Sequence, residues 1–191
     1  MKINYVLDKI PILIDKVNTS IVNPPHQPEC NMEFHYNDCG YHSTFDYKSL
    51  LSDPNLLICI GCSFTAGNGL LEEETWPYKL SRALGKPYIN LGLNGGSHGY
   101  VMWQIYNVLS NLESKNIFVL RPPKGRRFQL SDTYFENENH KESNSNPPNF
   151  DLSVEYSEYY DFLLTSLCSK YNIPNFFVYE FGFEFTSARD N

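Results

Sequence analysis

No apolar run in this 191-residue chain approaches the roughly 18 residues a membrane-crossing helix needs, so no membrane partner is expected. Positive charge is in short supply. Lys and Arg number 15 against 22 Asp and Glu, a net charge of −7. A general binder of the phosphate backbone needs a basic face, so no nucleic-acid partner is expected either. Met1-Lys2-Ile3-Asn4-Tyr5 leads on to Asp8 and Lys9 without the apolar block of an export signal. Cysteine is sparse and odd in number, five residues at 30, 39, 59, 62 and 168. Reduced thiols and a cytoplasmic location are the expectation. Apolar residues are plentiful at 41%, against 19% charged. That balance argues against disorder and suits one domain with a real core.

Residues 1–50 and 51–191 differ in character. The first stretch carries Pro11, Pro24, Pro25 and Pro28, which break regular elements, so an irregular arm of short extended segments and turns is expected. The second alternates strand and helix signals. Leu56 to Ile60 is a short apolar run between Pro54 and Gly61, suited to a strand buried on both faces. Trp76 to Leu84 reads as a helix, with Thr75 as N-cap, Pro77 in the first turn and Gly85 past the end. Tyr88 to Leu91 is a second strand. A helix starting near Ser97 follows, with Val101, Ile105, Val108 and Leu112 on one face. Asn116 to Leu120 is a third strand, and residues 121–149 read as a long insertion or mobile loop. Tyr156, Tyr160, Leu163, Leu167 and Tyr171 mark a further helix ended by Pro174, and Phe176 to Tyr179 a fourth strand. This alternation implies an α/β fold with a parallel sheet covered on both faces. Reactive groups in such sheets collect beyond the carboxyl ends of the strands.

Gly61-Cys62-Ser63-Phe64-Thr65-Ala66-Gly67 follows the first buried strand directly. A small residue before a serine lets the chain turn sharply and lifts the hydroxyl clear of the sheet, with free N–H groups beside it. A plain turn has the same signature. Its surroundings add weight. Asn37-Asp38-Cys39-Gly40-Tyr41, the Gly61 to Gly69 run, Glu74-Thr75-Trp76-Pro77 with Leu80, and Asn90-Leu91-Gly92-Leu93-Asn94-Gly95 occur in order over about sixty residues. Together they resemble the SGNH (GDSL-like) hydrolase family. Gly61 to Gly69 matches its first block and Asn90 to Gly95 its second.

The resemblance implies a three-layer α/β/α sandwich with a parallel, flavodoxin-like central sheet, and an acyl-ester hydrolase. Ser63 would be the nucleophile. The N–H groups of Ser63 and Gly95 would hold the oxyanion. Gly95 and Gly96 also suit a simple turn into the next helix. Neither a metal nor a cofactor is called for. The partner would be a small-molecule or carbohydrate ester, with the acyl group, the alcohol and the oligomeric state left open.

Three departures from the family pattern stand out. Cys62 replaces the Asp before the serine, a position that supports the loop. Cys59-x-x-Cys62 is not read as redox or zinc-binding, because Cys59 sits in a buried strand and no further ligands are spaced for zinc. The third strand is followed by Arg121-Pro122-Pro123-Lys124-Gly125-Arg126-Arg127 in place of the family's Gly-x-Asn-Asp. One of Arg121, Arg126 or Arg127 would then stabilise the oxyanion or bind an acidic group on the substrate, or the three form a solvated basic turn. Asp190 stands where the family's Asp-x-x-His begins, so the general base is expected two residues past Asn191, followed by a closing helix. His98 lies near the site at a helix start, while His26, His35, His42 and His140 are expected at the surface. The competing reading is a fold retained as a non-catalytic binding or assembly module.

Overall fold

The computed structural model describes residues 3–4, 12–13, 16–22, 33–96, 98–114, 116–120, 122, 129–130, 135–136, 162–167, 169–171, 176–179 and 185–187. In chain order the strands are β1 (Ile3–Asn4), β2 (Ile12–Leu13), β3 (Thr19–Val22), β4 (Glu33–Tyr36), β5 (Leu57–Gly61), β6 (Tyr88–Asn90), β7 (Asn116–Leu120), β8 (Gln129–Leu130), β9 (Phe135–Glu136), β10 (Phe176–Tyr179) and β11 (Phe185–Ser187). The named helices are α1 (Ser63–Ala66), α2 (Trp76–Leu84) and α3 (His98–Asn111), with a 3-10 turn at Glu72–Glu74. Residues 162–167 are also helical.

The fold is a three-layer α/β/α sandwich. Its sheet runs in the order β11-β10-β7-β5-β6. β6, β5, β7 and β10 pair in parallel, and β11 returns antiparallel along β10. Read in chain order, the parallel strands stand 2-1-3-4, the start of the flavodoxin-like arrangement, with the reversal of direction between β5 and β7. The β5–α2–β6 and β6–α3–β7 connections run in opposite directions along the sheet. Right-handed crossovers therefore set α2 and α3 on opposite faces. The antiparallel β11 has no counterpart in the pattern expected from sequence.

Every residue of β5 is buried, as a central strand covered on both faces requires. Ile58 and Ile60 join Ile117 and Val119 in one core with Val101, Ile105 and Val108 of α3 and with Leu164. Leu57 and Cys59 point to the opposite face, because strand side chains alternate. Thr75 caps α2, its hydroxyl accepting from the Tyr78 N–H at 3.4 Å. Gly85 closes that helix in the left-handed region at φ 62°. α3 presents the expected stripe of Val101, Ile105 and Val108 to the core, with Trp103 packed partly buried against it.

The N-terminal residues enter the same core. Leu13, Cys39, Tyr41 and Tyr47 are buried within it, and Tyr41 stacks on Tyr47 with ring centroids 5.9 Å apart. The side chain of Asn37 accepts from the Cys39 and Tyr41 N–H groups at 3.0 and 3.1 Å. Gly40 takes φ 80° inside that turn, where only glycine is unstrained. Among the described residues no helix is long and apolar enough to cross a membrane.

Candidate active site

Two bends meet at the carboxyl end of β5. The first begins at Gly61, where a Cβ would lie 2.1 Å from Thr65 Oγ1 and 2.7 Å from the Leu120 carbonyl oxygen. Only a glycine lets the chain leave the sheet so sharply. Cys62 is the N-cap of α1, and Ser63 is its first helical residue. Ser63 is half-buried. Among the described residues its hydroxyl has no hydrogen-bond partner and its N–H no acceptor. Gly67 ends the short helix in the left-handed region at φ 74°.

The second bend, Leu91 to Gly96, is laid directly on the first. The Leu93 N–H donates to the Gly61 carbonyl at 3.1 Å. A Cβ on Gly92 would sit 2.2 Å from the Ala66 nitrogen, and one on Gly96 would lie 3.2 Å from Cys62 Cα. The backbones are therefore in contact, with no room for a side chain between them. The Gly96 N–H closes the turn onto the Leu93 carbonyl at 2.8 Å, with Gly95 at φ 76° inside it. The turn itself thus demands glycine at 95. Gly95 is half-buried, and its own N–H has no acceptor among the described residues.

Asn90 bridges the two bends, and Glu72 ties the segment at Ser43 and Thr44 to β6. Asn90, 3% exposed, donates from Nδ2 to the Thr65 carbonyl at 2.7 Å and accepts at Oδ1 from the Gly92 N–H at 3.0 Å. Glu72, 8% exposed, accepts from the hydroxyls of Ser43, Thr44 and Tyr88 and from the Thr44 N–H at 2.6–2.8 Å. Burial pushes its carboxyl up, and these donors outweigh that effect and hold it below the ordinary glutamate value. Asn90 opens the second family block without a role assigned to it, and Glu72 stood only as one acid among three.

His42 differs from the surface placement expected of it. It is half-buried, and Nδ1 lies 3.1 Å from the Ala66 carbonyl. A carbonyl only accepts, so Nδ1 carries the proton in the neutral ring. Burial lowers the His42 pKa, offset in part by that hydrogen bond and by Glu72. A cavity of ≈ 30 Å³ beside His42, Asn68 and Asn94 has room for about one water. A larger concavity of ≈ 510 Å³ opens between Glu33, His35, Phe45, Glu73 and Tyr78, and neither Ser63 nor Gly95 lines it.

Cys39, Cys59 and Cys62 are buried, and burial raises the Cys59 thiol far above its ordinary value. Among the described residues no group of three or more His, Cys, Asp or Glu is placed to hold a metal. His98 is the first residue of α3. Asp190, Arg121, Arg126 and Arg127 lie outside the described residues.

Comparison with solved structures finds AlinE4, described as an SGNH-hydrolase family esterase, together with two mutants of that esterase. In each case identity is 18%, the match covers 63% of this chain and 74% of the other, and the TM-score is 0.32. So loose an overlap carries no weight for function. No family model matches the chain, and no curated protein does.

Proposed function

We propose that this chain is a serine ester hydrolase of the SGNH type, acting on a small-molecule or carbohydrate ester. Ser63 Oγ attacks the ester carbonyl carbon. The carbonyl oxygen becomes an oxyanion, and the tetrahedral intermediate collapses to an acyl-serine as the alcohol leaves. Water then releases the acid. The oxyanion is received by the N–H groups of Ser63 and Gly95, and a donor of this kind is typically worth on the order of 10²–10³ in rate. Proton transfer needs a base. The family resemblance supplies one as a His oriented by Asp190.

One observation carries this reading. The two bends are locked backbone to backbone, and a half-buried hydroxyl and two N–H groups there are without partners among the described residues. The first N–H groups of any helix lack an intrahelical acceptor, so the weight rests on the backbone contact that holds the Gly95 turn against the turn carrying Ser63.

The test is hydrolysis of p-nitrophenyl acetate by the natural full-length protein. Ser63→Ala is expected to abolish it and to abolish labelling by a fluorophosphonate. Unchanged turnover in Ser63→Ala defeats the proposal. A wild-type protein with neither turnover nor labelling favours the non-catalytic binding module.

A further inference from the structure

From the hydrogen bonds of its side chain, we infer that Asn90 is a positioning residue, which clamps the second bend to the first and so sets the spacing of the Gly95 and Ser63 N–H groups. The inference rests on the ester-hydrolase reading for its catalytic consequence, but not for the clamp itself.

The bonds are specific to an amide. Nδ2 donates to the Thr65 carbonyl, in the helix that begins at Ser63, at 2.7 Å. Oδ1 accepts from the N–H of Gly92, in the bend that carries Gly95, at 3.0 Å. One planar group thus spans both bends, using a donor and an acceptor fixed relative to each other. Its other side is anchored as well. The Asn90 N–H donates to Tyr47 Oη at 2.8 Å, and Tyr47 is wholly buried. The clamp therefore runs from the N-terminal segment through β6 to both bends.

The alternatives at this position fail for stated reasons. An ionised Asp has no donor, and would set a negative oxygen against the Thr65 carbonyl. A Leu of similar volume leaves both the Thr65 carbonyl and the Gly92 N–H unpaired in a buried place. Gly92 meets the Ala66 nitrogen so closely that a loosened bend has only one direction to move, outward. A displacement of about 1 Å at a reacting centre costs on the order of 10²-fold in rate.

The experiment compares wild type, Asn90→Asp and Tyr47→Phe by NMR-detected amide exchange and by kcat and KM for p-nitrophenyl acetate. At neutral pH, Asn90→Asp is expected to speed exchange of the Gly92, Gly95 and Gly96 amides at least about tenfold, with β5 and β7 unaffected. Its kcat should fall on the order of 10²-fold with KM little changed. Lowering the pH protonates the introduced carboxyl, restores a donor to the Thr65 carbonyl, and should raise the protection of these amides, corrected for intrinsic exchange at each pH, back toward that of wild type. Tyr47→Phe should give the same exchange pattern at smaller amplitude, and it carries the test if Asn90→Asp does not fold. Unchanged exchange at residues 92–96 in the folded variants overturns the clamp, as does a kcat loss that only follows the folded fraction. Loosened bends in a protein whose wild type has no esterase activity support the clamp and defeat the ester-hydrolase reading instead.

Discussion

The N–H of Leu93 donates to the carbonyl oxygen of Gly61 at 3.1 Å, tying the bend after β6 to the bend after β5. This bond extends the pairing of the two strands past their ends, where the Leu91 N–H already donates to the Cys59 carbonyl at 2.8 Å. The groups held at this junction are backbone groups, so the junction responds chiefly to changes in side-chain volume and buried polarity around it.

Gly92→Ala adds a methyl group 2.2 Å from the Ala66 nitrogen and 2.6 Å from the Thr65 carbonyl carbon. Backbone cannot yield as a flexible side chain does. We expect a loss of about 1–3 kcal/mol in stability, read as a lower urea midpoint, together with loss of any Ser63-dependent esterase activity. A variant with wild-type midpoint and rate would show that the bends are not in contact.

Thr65→Val should act in the opposite direction. Thr65 is fully buried, and among the described residues its Oγ1 has no hydrogen-bond partner. Valine keeps the shape and removes the desolvated hydroxyl. A gain of about 1 kcal/mol is expected in chemical denaturation, while a loss of that size would mean the hydroxyl is paired.

Glu72→Gln should flatten the acid side of the stability profile. The folded carboxyl titrates below the ordinary value of about 4.3. Its contribution is therefore fully present above the unfolded pKa and is lost as pH falls through the folded one. The wild type should lose stability faster than Glu72→Gln from about pH 5 downward. At pH 7 the variant should be less stable by about 1–3 kcal/mol, since an amide cannot accept all four donors. Parallel curves for the two proteins across that range would refute the assignment.

Thr75→Ala removes the N-cap of α2. The Thr75 hydroxyl accepts from the Tyr78 N–H and donates to the Glu72 carbonyl at 2.7 Å. Loss of the cap is expected to cost about 1 kcal/mol, and Thr75→Ser should recover most of it. A thermal melt of the three proteins decides the matter.

The α/β alternation, the boundaries of α2 and the apolar stripe of α3 were readable because each rests on local chemistry: a capping hydroxyl, a proline in the first turn, a glycine at the end, apolar residues at helical spacing. The Gly61 and Ser63 pair was readable for the same reason. Asn90 and Glu72 were not, because the contacts that define them are distant in the chain: Thr65 lies 25 residues from Asn90, and the partners of Glu72 lie 16 to 29 residues away. His42 looked like a surface residue because nothing nearby in sequence buries it. Its hydrogen-bond partner Ala66 is 24 positions on.

By itself the order of residues determined the segments of β5, α2, β6, α3, β7 and β10, that β5 is central, and that a hydroxyl follows it at a glycine bend. Those outcomes depend on neighbours a few positions apart, where propensity and spacing act directly. Tertiary structure alone decided that the bend at 92–96 rests on the bend at 61–67, that Asn90 joins them, and that Tyr41 and Tyr47 belong to the same core. Those outcomes depend on strand order in space, which no local preference encodes.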